Sequence, residues 1–369
     1  MALNKLNFHL HKNYGTDVIF KKIQPVSNNE ILSEGNGWNM NSNKVGIIGG
    51  AGFLGSKLLT RLEKANISSN IYDIDSSQKS DISIYCNVED IDSLDKLKNV
   101  ETIINLAAVH RDDILPLSRY DDVNVQGAVN VCEAARCHEI NKIIFTSSVA
   151  IYGFASAGTD ESGKPNYFND YGRTKYLAEQ VYKEWQAEDP INRTLVIVRP
   201  TVIFGEGNRG NVYNLLKQIA SRRFVMFGDG LNRKSMAYVE NVTAFLEYSL
   251  SFKPGLHVFN YTDKPDFDMN TLVSEARKTL FGKNNVGLRL PAFLGMVIGY
   301  IADFVAKLTG KTLSVSSIRV KKFLGTTQFA SSVSETGFVP PLSLEEGLAR
   351  TLRYEFLEDN SDKKTFETE

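Results

Sequence analysis

The stretch Val45-Gly46-Ile47-Ile48-Gly49-Gly50-Ala51-Gly52-Phe53-Leu54-Gly55 decides how this chain is read. Its first residues predict a buried strand, and FLGSKLLTRLEKA over 53–65, apolar at three- and four-residue spacing, predicts an amphipathic helix directly behind the glycines. Gly49 permits the tight turn, Gly52 lets the backbone approach a pyrophosphate, Gly55 allows close helix–strand packing, and the helix N-terminus attracts phosphate charge. A second apolar run, 69–74, carries Asp73, 24 residues after Gly49, where a carboxylate can hydrogen-bond the ribose hydroxyls of an adenosine. Ile74, Asp75, Ser76 and Ser77 include no Arg to receive a 2′-phosphate, so the pattern favours NAD over NADP.

Working outward, further strand-like runs at 102–108, 142–148 and 194–199 alternate with helical patterns at 123–137 and 171–186. Such alternation predicts an α/β fold, a Rossmann-type doubly wound parallel sheet covered on both faces. After Pro200 the pattern turns irregular and more helical, which predicts a smaller, mostly helical substrate domain, while HVFNY at 257–261 predicts one return to the main sheet. The expected division is an N-terminal extension outside the fold (1–42), an NAD-binding Rossmann domain (43–200, with a returning segment near 232–262), a substrate domain (201–231 and 263–358) and a tail (359–369). Met40, just ahead of the first strand, is a candidate biological start.

The chain has 369 residues, and 42 Lys and Arg against 43 Asp and Glu leave a net charge of −1, so nothing suggests a general attraction to nucleic acid. Three scattered cysteines, Cys86, Cys132 and Cys137, make neither a disulfide framework nor a metal site. No signal peptide is legible at the N-terminus, and the apolar uncharged stretch 290–302 has 13 residues, too few to span a bilayer. A cytoplasmic protein is expected.

A second constellation pairs Tyr171 with Lys175, one helical turn on, and with Ser148, just after the 142–148 run. Tyrosine is a poor base near its usual pKa of about 10. A neighbouring lysine and a positive nicotinamide ring can lower that value enough for Tyr171 to take a proton from a sugar hydroxyl, with Ser148 bonded to the same oxygen. The bland alternative, two exposed residues on a helix face, is weakened by the glycine turn and Asp73 on the same chain.

The glycine turn, Asp73, Leu106-Ala107-Ala108, Ser148, Tyr171 and Lys175 resemble the extended short-chain dehydrogenase/reductase family, in its sugar epimerase/dehydratase branch, from about Lys44 to Phe356. The resemblance implies NAD contacts from Gly49, Gly52, Phe53, Leu54, Gly55, Asp73, Asn87, Val88, Leu106, Ala107, Ala108, Tyr171 and Lys175, and catalysis by Ser148, Tyr171 and Lys175. Asn87-Val88 stands where many relatives have Asp-Val. Sugar 4,6-dehydratases follow the serine with an Asp-Glu pair, and this chain has Val149-Ala150; the Cys/His pair of 3,5-epimerising members is also missing. What remains suffices for a 4-epimerase.

Longer segments, including Ala108–Asp113, Arg199–Gly205, Asn208–Lys217, Lys234–Val239 and Ser316–Phe323, are similar to a narrower group, the bacterial 4-epimerases of N-acetylglucosamine carried on undecaprenyl diphosphate. Their resemblance implies substrate contacts from His110, Arg111, Ser148, Arg209, Asn211 and Lys234, with a diphosphate at the helix start near Asn211. Arg209 could equally be a solvated loop charge. Val202, Lys234-Ser235 and Asn241 depart from UDP-sugar epimerases. The apolar 290–308 segment, followed by Lys311, Arg319, Lys321 and Lys322, suits a membrane interface; a buried helix is its alternative. A homodimer through the helices before and after Tyr171 is expected. The competing activities are a UDP-N-acetylglucosamine 4-epimerase and a 4-keto-sugar reductase, and the competing non-enzyme is a dinucleotide-binding scaffold.

Overall fold

A computed structural model describes residues 44–76, 82–111, 113–309 and 317–368, except the side chains of Arg319 and Lys322. The expected extension 1–42, and Ser77, Asp112, Lys311 and Ser316, lie outside the described residues. Seven strands make the main sheet: β1 (Val45–Ile48), β2 (Ser69–Asp73), β3 (Ser83–Tyr85), β4 (Thr102–Asn105), β5 (Lys142–Thr146), β6 (Thr194–Pro200) and, after the short β7 (Val202–Phe204), β8 (Met226–Phe227), β9 (Arg233–Lys234) and β10 (Met236–Tyr238), the returning β11 (Gly255–Tyr261). Their order is β3-β2-β1-β4-β5-β6-β11, and every pairing is parallel. The sheet is the doubly wound one the sequence predicts.

Alternation along the strands feeds two cores. Ile47, Ile71, Ile104, Ile144, Val196 and Val198 face α1 (Phe53–Lys64) and, later in the chain, α6 (Val239–Tyr248). Ile48, Tyr72, Ile103, Ile143, Phe145 and Ile197 face α3 (Gly127–Cys137) and α4 (Asp170–Ala187), whose Val131, Cys132, Tyr182 and Trp185 are fully buried. A third core joins α5 (Asn211–Ala220), α7 (Met269–Phe281) and α10 (Leu344–Phe356) around Phe204, Met226 and Tyr238.

Some boundaries differ from expectation for a local reason. Two expected runs, 102–108 and 142–148, leave the sheet at Asn105 and Thr146, because the chain there bends into the loops that form the site. The expected helix 123–137 begins as α3 only at Gly127; the short α2 (Ser118–Tyr120) and a wider π turn, Asp121–Gln126, lead into it.

The apolar segment near 290–308 forms α8 (Ala292–Thr309), 18 residues with mean hydropathy 1.5, long enough by length and composition to cross a membrane. The too-short reading is corrected, since the helix continues through Asp303 and Lys307 past the uncharged stretch. A buried helix is also excluded, because only 11% of α8 is buried. Gly295 seats it on Phe227, where a Cβ would come within 2.8 Å of the ring, and α9 (Ser317–Leu324) packs beside it. Phe293, Val297, Tyr300, Ile301, Phe304 and Leu308 face outward.

Candidate active site

The glycine turn is built by backbone crowding. Gly49 has φ +75° and would drive a Cβ to 2.6 Å from the Ala107 amide, so neither its conformation nor its space admits a side chain. Gly55 lies against Gly50, with 2.5 Å between its would-be Cβ and the Gly50 Cα. Gly52 begins α1 in extended backbone with no side-chain cap, which leaves the first-turn N–H groups of Phe53, Leu54 and Gly55 to an incoming phosphate. The Ala51 amide donates to Asp73 Oδ2 at 2.9 Å and the Asp75 amide to Oδ1 at 3.0 Å, so the carboxylate that closes β2 is fixed beside the turn. These features fit a dinucleotide: an anion-binding helix start, a backbone-lined approach and an oriented carboxylate.

Asn87 and Val88 follow β3. Asn87 Oδ1 accepts from the Glu89 amide, and Val88 is buried against Gly127, so the first braces its own turn and the second forms a wall. Leu106, Ala107 and Ala108 cross the carboxyl end of β4, held by the Leu106 amide on Ile48 O and the Ala107 amide on Asn105 Oδ1.

Across the cleft, Ser148 starts the turn Val149–Tyr152 and accepts from the Ala150 amide at 3.1 Å. Asn169 caps α4 by accepting from the Gly172 amide, and Arg173 clamps the same turn with paired bonds to Asp121 and one to Asp170. Tyr171, half-buried in that first turn, hydrogen-bonds the Ser148 hydroxyl. Lys175, one turn on and buried, donates to Thr146 O at 2.8 Å and lies 4.7 Å from the centre of the Phe145 ring. The three residues named from sequence are brought together.

Their electrostatics differ from the expectation. Burial pushes Lys175 down to about 7, partly opposed by the Glu179 carboxylate, while burial pushes Tyr171 above 10.0, opposed by its Ser148 bond. Among protein groups, Lys175 does not lower Tyr171, because desolvation disfavours the lysine's own charge.

On the substrate side, His110 borders the cleft, with a pKa pushed below 6.5 by the surrounding protein and by Lys175, against a bond to Ala108. Arg111 pairs with Asp113 at 2.6 Å on the surface. Arg209 is no solvated loop charge: it pairs with the buried Glu355 and stacks 4.2 Å from the Tyr213 ring centre. Lys234, held near 8 by burial, donates to Gly325 O, and Asn211 opens α5. Arg209 and Lys234 are thus held by separate partners, Glu355 and the Gly325 carbonyl. Asn241, expected to discriminate against UDP, is fully buried and bonds Asp263 and the Leu342 backbone, so it says nothing about a nucleotide.

Sequence reasoning missed two buried amides. Asn105 joins β4 to the Tyr182 hydroxyl and to Ala107, and Asn124 bonds both backbone groups of Val109 and the Thr174 hydroxyl. They tie the 106–109 loop to the helix carrying Tyr171 and Lys175. A cavity of about 670 Å³ at the amino ends of β1, β4 and β5, lined by Val45, Thr102, Lys142 and Phe338, contains none of these residues; ligands of such sheets bind at the carboxyl ends. No group of three or more His, Cys, Asp or Glu able to hold a metal occurs among the described residues.

A parallel sheet with this glycine turn and a Ser, Tyr and Lys group over its strand ends defines a dinucleotide-binding α/β enzyme. The chain belongs to the NAD dependent epimerase/dehydratase family, whose model matches residues 45–260. It is 48% identical over 336 residues to the N-acetyl-alpha-D-glucosaminyl-diphospho-ditrans,octacis-undecaprenol 4-epimerase of Escherichia coli O157:H7, covering 89% of this chain and 100% of the relative. Two solved structures share the fold. The UDP-N-acetylglucosamine 4-epimerase of Bacillus cereus has TM-score 0.67 at 15% identity, covering 86% of this chain and 98% of that one. The UDP-glucose 4-epimerase of Thermotoga maritima, with UDP-glucose, has TM-score 0.66 at 20% identity, covering 85% and 100%.

Proposed function

We propose that this enzyme is the 4-epimerase of an N-acetylhexosamine carried on undecaprenyl diphosphate, interconverting N-acetylglucosamine and N-acetylgalactosamine for surface polysaccharide. The observation that carries the reading is the 48% identity along the whole of a relative with that activity. The site agrees: Ser148, Tyr171 and Lys175 serve oxidation and reduction at one carbon, and Val149-Ala150 offers no carboxylate for eliminating water.

Tyr171 takes the proton from the sugar O4 and gives it back after the 4-keto sugar has turned over. Ser148 holds the same oxygen and the Tyr171 hydroxyl in one hydrogen-bond chain. Lys175, anchored on Thr146 O, orients the helix turn and, when protonated, favours the tyrosinate. NAD, when bound between the glycine turn, Asp73 and Lys175, supplies reversible hydride acceptance at C4. The cycle is redox-neutral and consumes no added cofactor, unlike a 4-keto-sugar reductase.

In this reading residues 43–200 with 232–262 are the NAD-binding unit, and 201–231 with 263–358 cover the substrate. The outward apolar face of α8, with Lys307 and Lys321 near its end, rests in the inner face of the cytoplasmic membrane beside the polyprenyl chain. Its attachment to Phe227 and α9 supports an interfacial rather than a spanning helix. α3 and α4 are the expected homodimer faces. The test incubates purified protein, without added cofactor, with UDP-N-acetylglucosamine and separately with membranes loaded with undecaprenyl-diphosphate N-acetylglucosamine. Conversion of the lipid-linked sugar alone is expected; conversion of the UDP-sugar would make this an ordinary nucleotide-sugar epimerase.

A further inference from the structure

The loop that leads into α5 is already occupied by the chain's own tail. The Phe366 amide donates to Gly207 O at 2.9 Å, and the Arg209 amide donates to Phe366 O at 2.8 Å, a two-bond bridge between loop and tail. Thr368 Oγ1 donates to Asn208 Oδ1 at 2.7 Å, and the same oxygen accepts from the Gly210 amide at the start of α5. A Cβ on Gly210 would meet Thr368 Oγ1 at 2.6 Å, so the glycine makes room for the tail. The Phe366 ring packs 5.8 Å from Phe53 of the glycine turn, and the charge of Glu367 acts on Arg111.

Three separate elements are therefore spanned at once: the α5 start, Arg111 and the glycine turn. The sequence reading places a phosphate at the glycine turn and at the α5 start, and a substrate contact at Arg111. The Arg209 backbone donor is spent on Phe366 O, and the Glu367 charge acts on Arg111. We propose that residues 361–368 are a built-in competitor of the substrate's diphosphate, a strap that must leave before the sugar diphosphate seats. It rests on the epimerase reading for the identity of the substrate and on the tail contacts alone for the competition. Strap and diphosphate claim the same 207–210 loop, which makes them mutually exclusive.

The test compares the full chain with a form ending at Asn360 and with Phe366→Ser, which keeps the length but loses the anchor. If the strap is docked nine-tenths of the time, the free site is one-tenth populated, and KM for the converted sugar diphosphate should fall about tenfold in both variants with kcat unchanged. Equal KM values, or a higher KM on truncation, overturn the proposal. Hydrogen exchange of 364–368 in the full chain, with inorganic pyrophosphate titrated in, keeps the two readings apart. Loss of protection supports the strap even if no sugar is turned over, and unchanged protection overturns it even if epimerisation is found.

Discussion

Tyr171 and Lys175 occupy one helix turn but depend on opposite consequences of burial. Tyr171→Phe keeps the ring and removes the proton acceptor, so bound NAD should survive, seen by absorbance after denaturation, while turnover falls about 10²–10⁴-fold. For Lys175 the linkage has a definite sign. The folded residue releases its proton near 7 and the unfolded one near 10.5, so between those values the unfolded chain holds the extra proton. This residue's contribution to stability is therefore least favourable below pH 7 and improves as pH rises through that window. Lys175→Met should abolish turnover and flatten the thermal-midpoint profile between pH 7 and 10; an unchanged slope would assign the titration elsewhere. The proximity of Tyr171 and Lys175 was legible because a turn of helix places them on one face. Asn105 and Asn124 were not, since an amide has no spacing signature and Asn124 finds Thr174 50 positions away. The pairing of Arg209 was hidden for the same reason: its partner, Glu355, is 146 positions on.

Among the elements, α4 is placed by one glycine. A Cβ on Gly172 would meet Ala150 O at 2.5 Å, a backbone atom of the turn that begins at Ser148. Gly172→Ala should push the start of α4 from that turn and part Tyr171 from Ser148, lowering kcat by about a hundredfold for a shift near 1 Å, with the fold retained by circular dichroism. Strand and helix identities were readable from periodicity. Their ends were not, because Asn105 and Thr146 leave the sheet for tertiary reasons that a strand-like sequence does not carry. α8 was readable as apolar but not as exposed, since burial depends on what packs against it. Phe304→Ser with Leu308→Ser, both outward, should leave thermal stability unchanged and reduce co-sedimentation with anionic lipid vesicles severalfold; unchanged sedimentation would remove α8 from the membrane.

The whole molecule is tied together through a buried polar knot behind the site. Arg199 on β6 makes two bonds to Glu179 on α4, at 2.8 and 2.6 Å, and a third to the Tyr152 hydroxyl, which donates to Asn260 on β11. Arg199 was legible only as part of a motif resembling substrate-binding segments; here its role is to join sheet and helix. Removing one partner leaves a buried charge unpaired, so Glu179→Ala should destabilise by about 3–5 kcal/mol in denaturant titration, a loss that Arg199→Lys should not match if the second charge still reaches the carboxylate.

β11 completes this knot and the sheet. It lies beside β6 along its full length, from Gly255 against Thr194 to Tyr261 against Pro200, and Asn260 is fully buried. A ribosome making this protein must therefore deliver Tyr261 before β6 gains its outer neighbour. Until then the nascent chain carries an open apolar edge, the stage of synthesis at which a chaperone has most to hold.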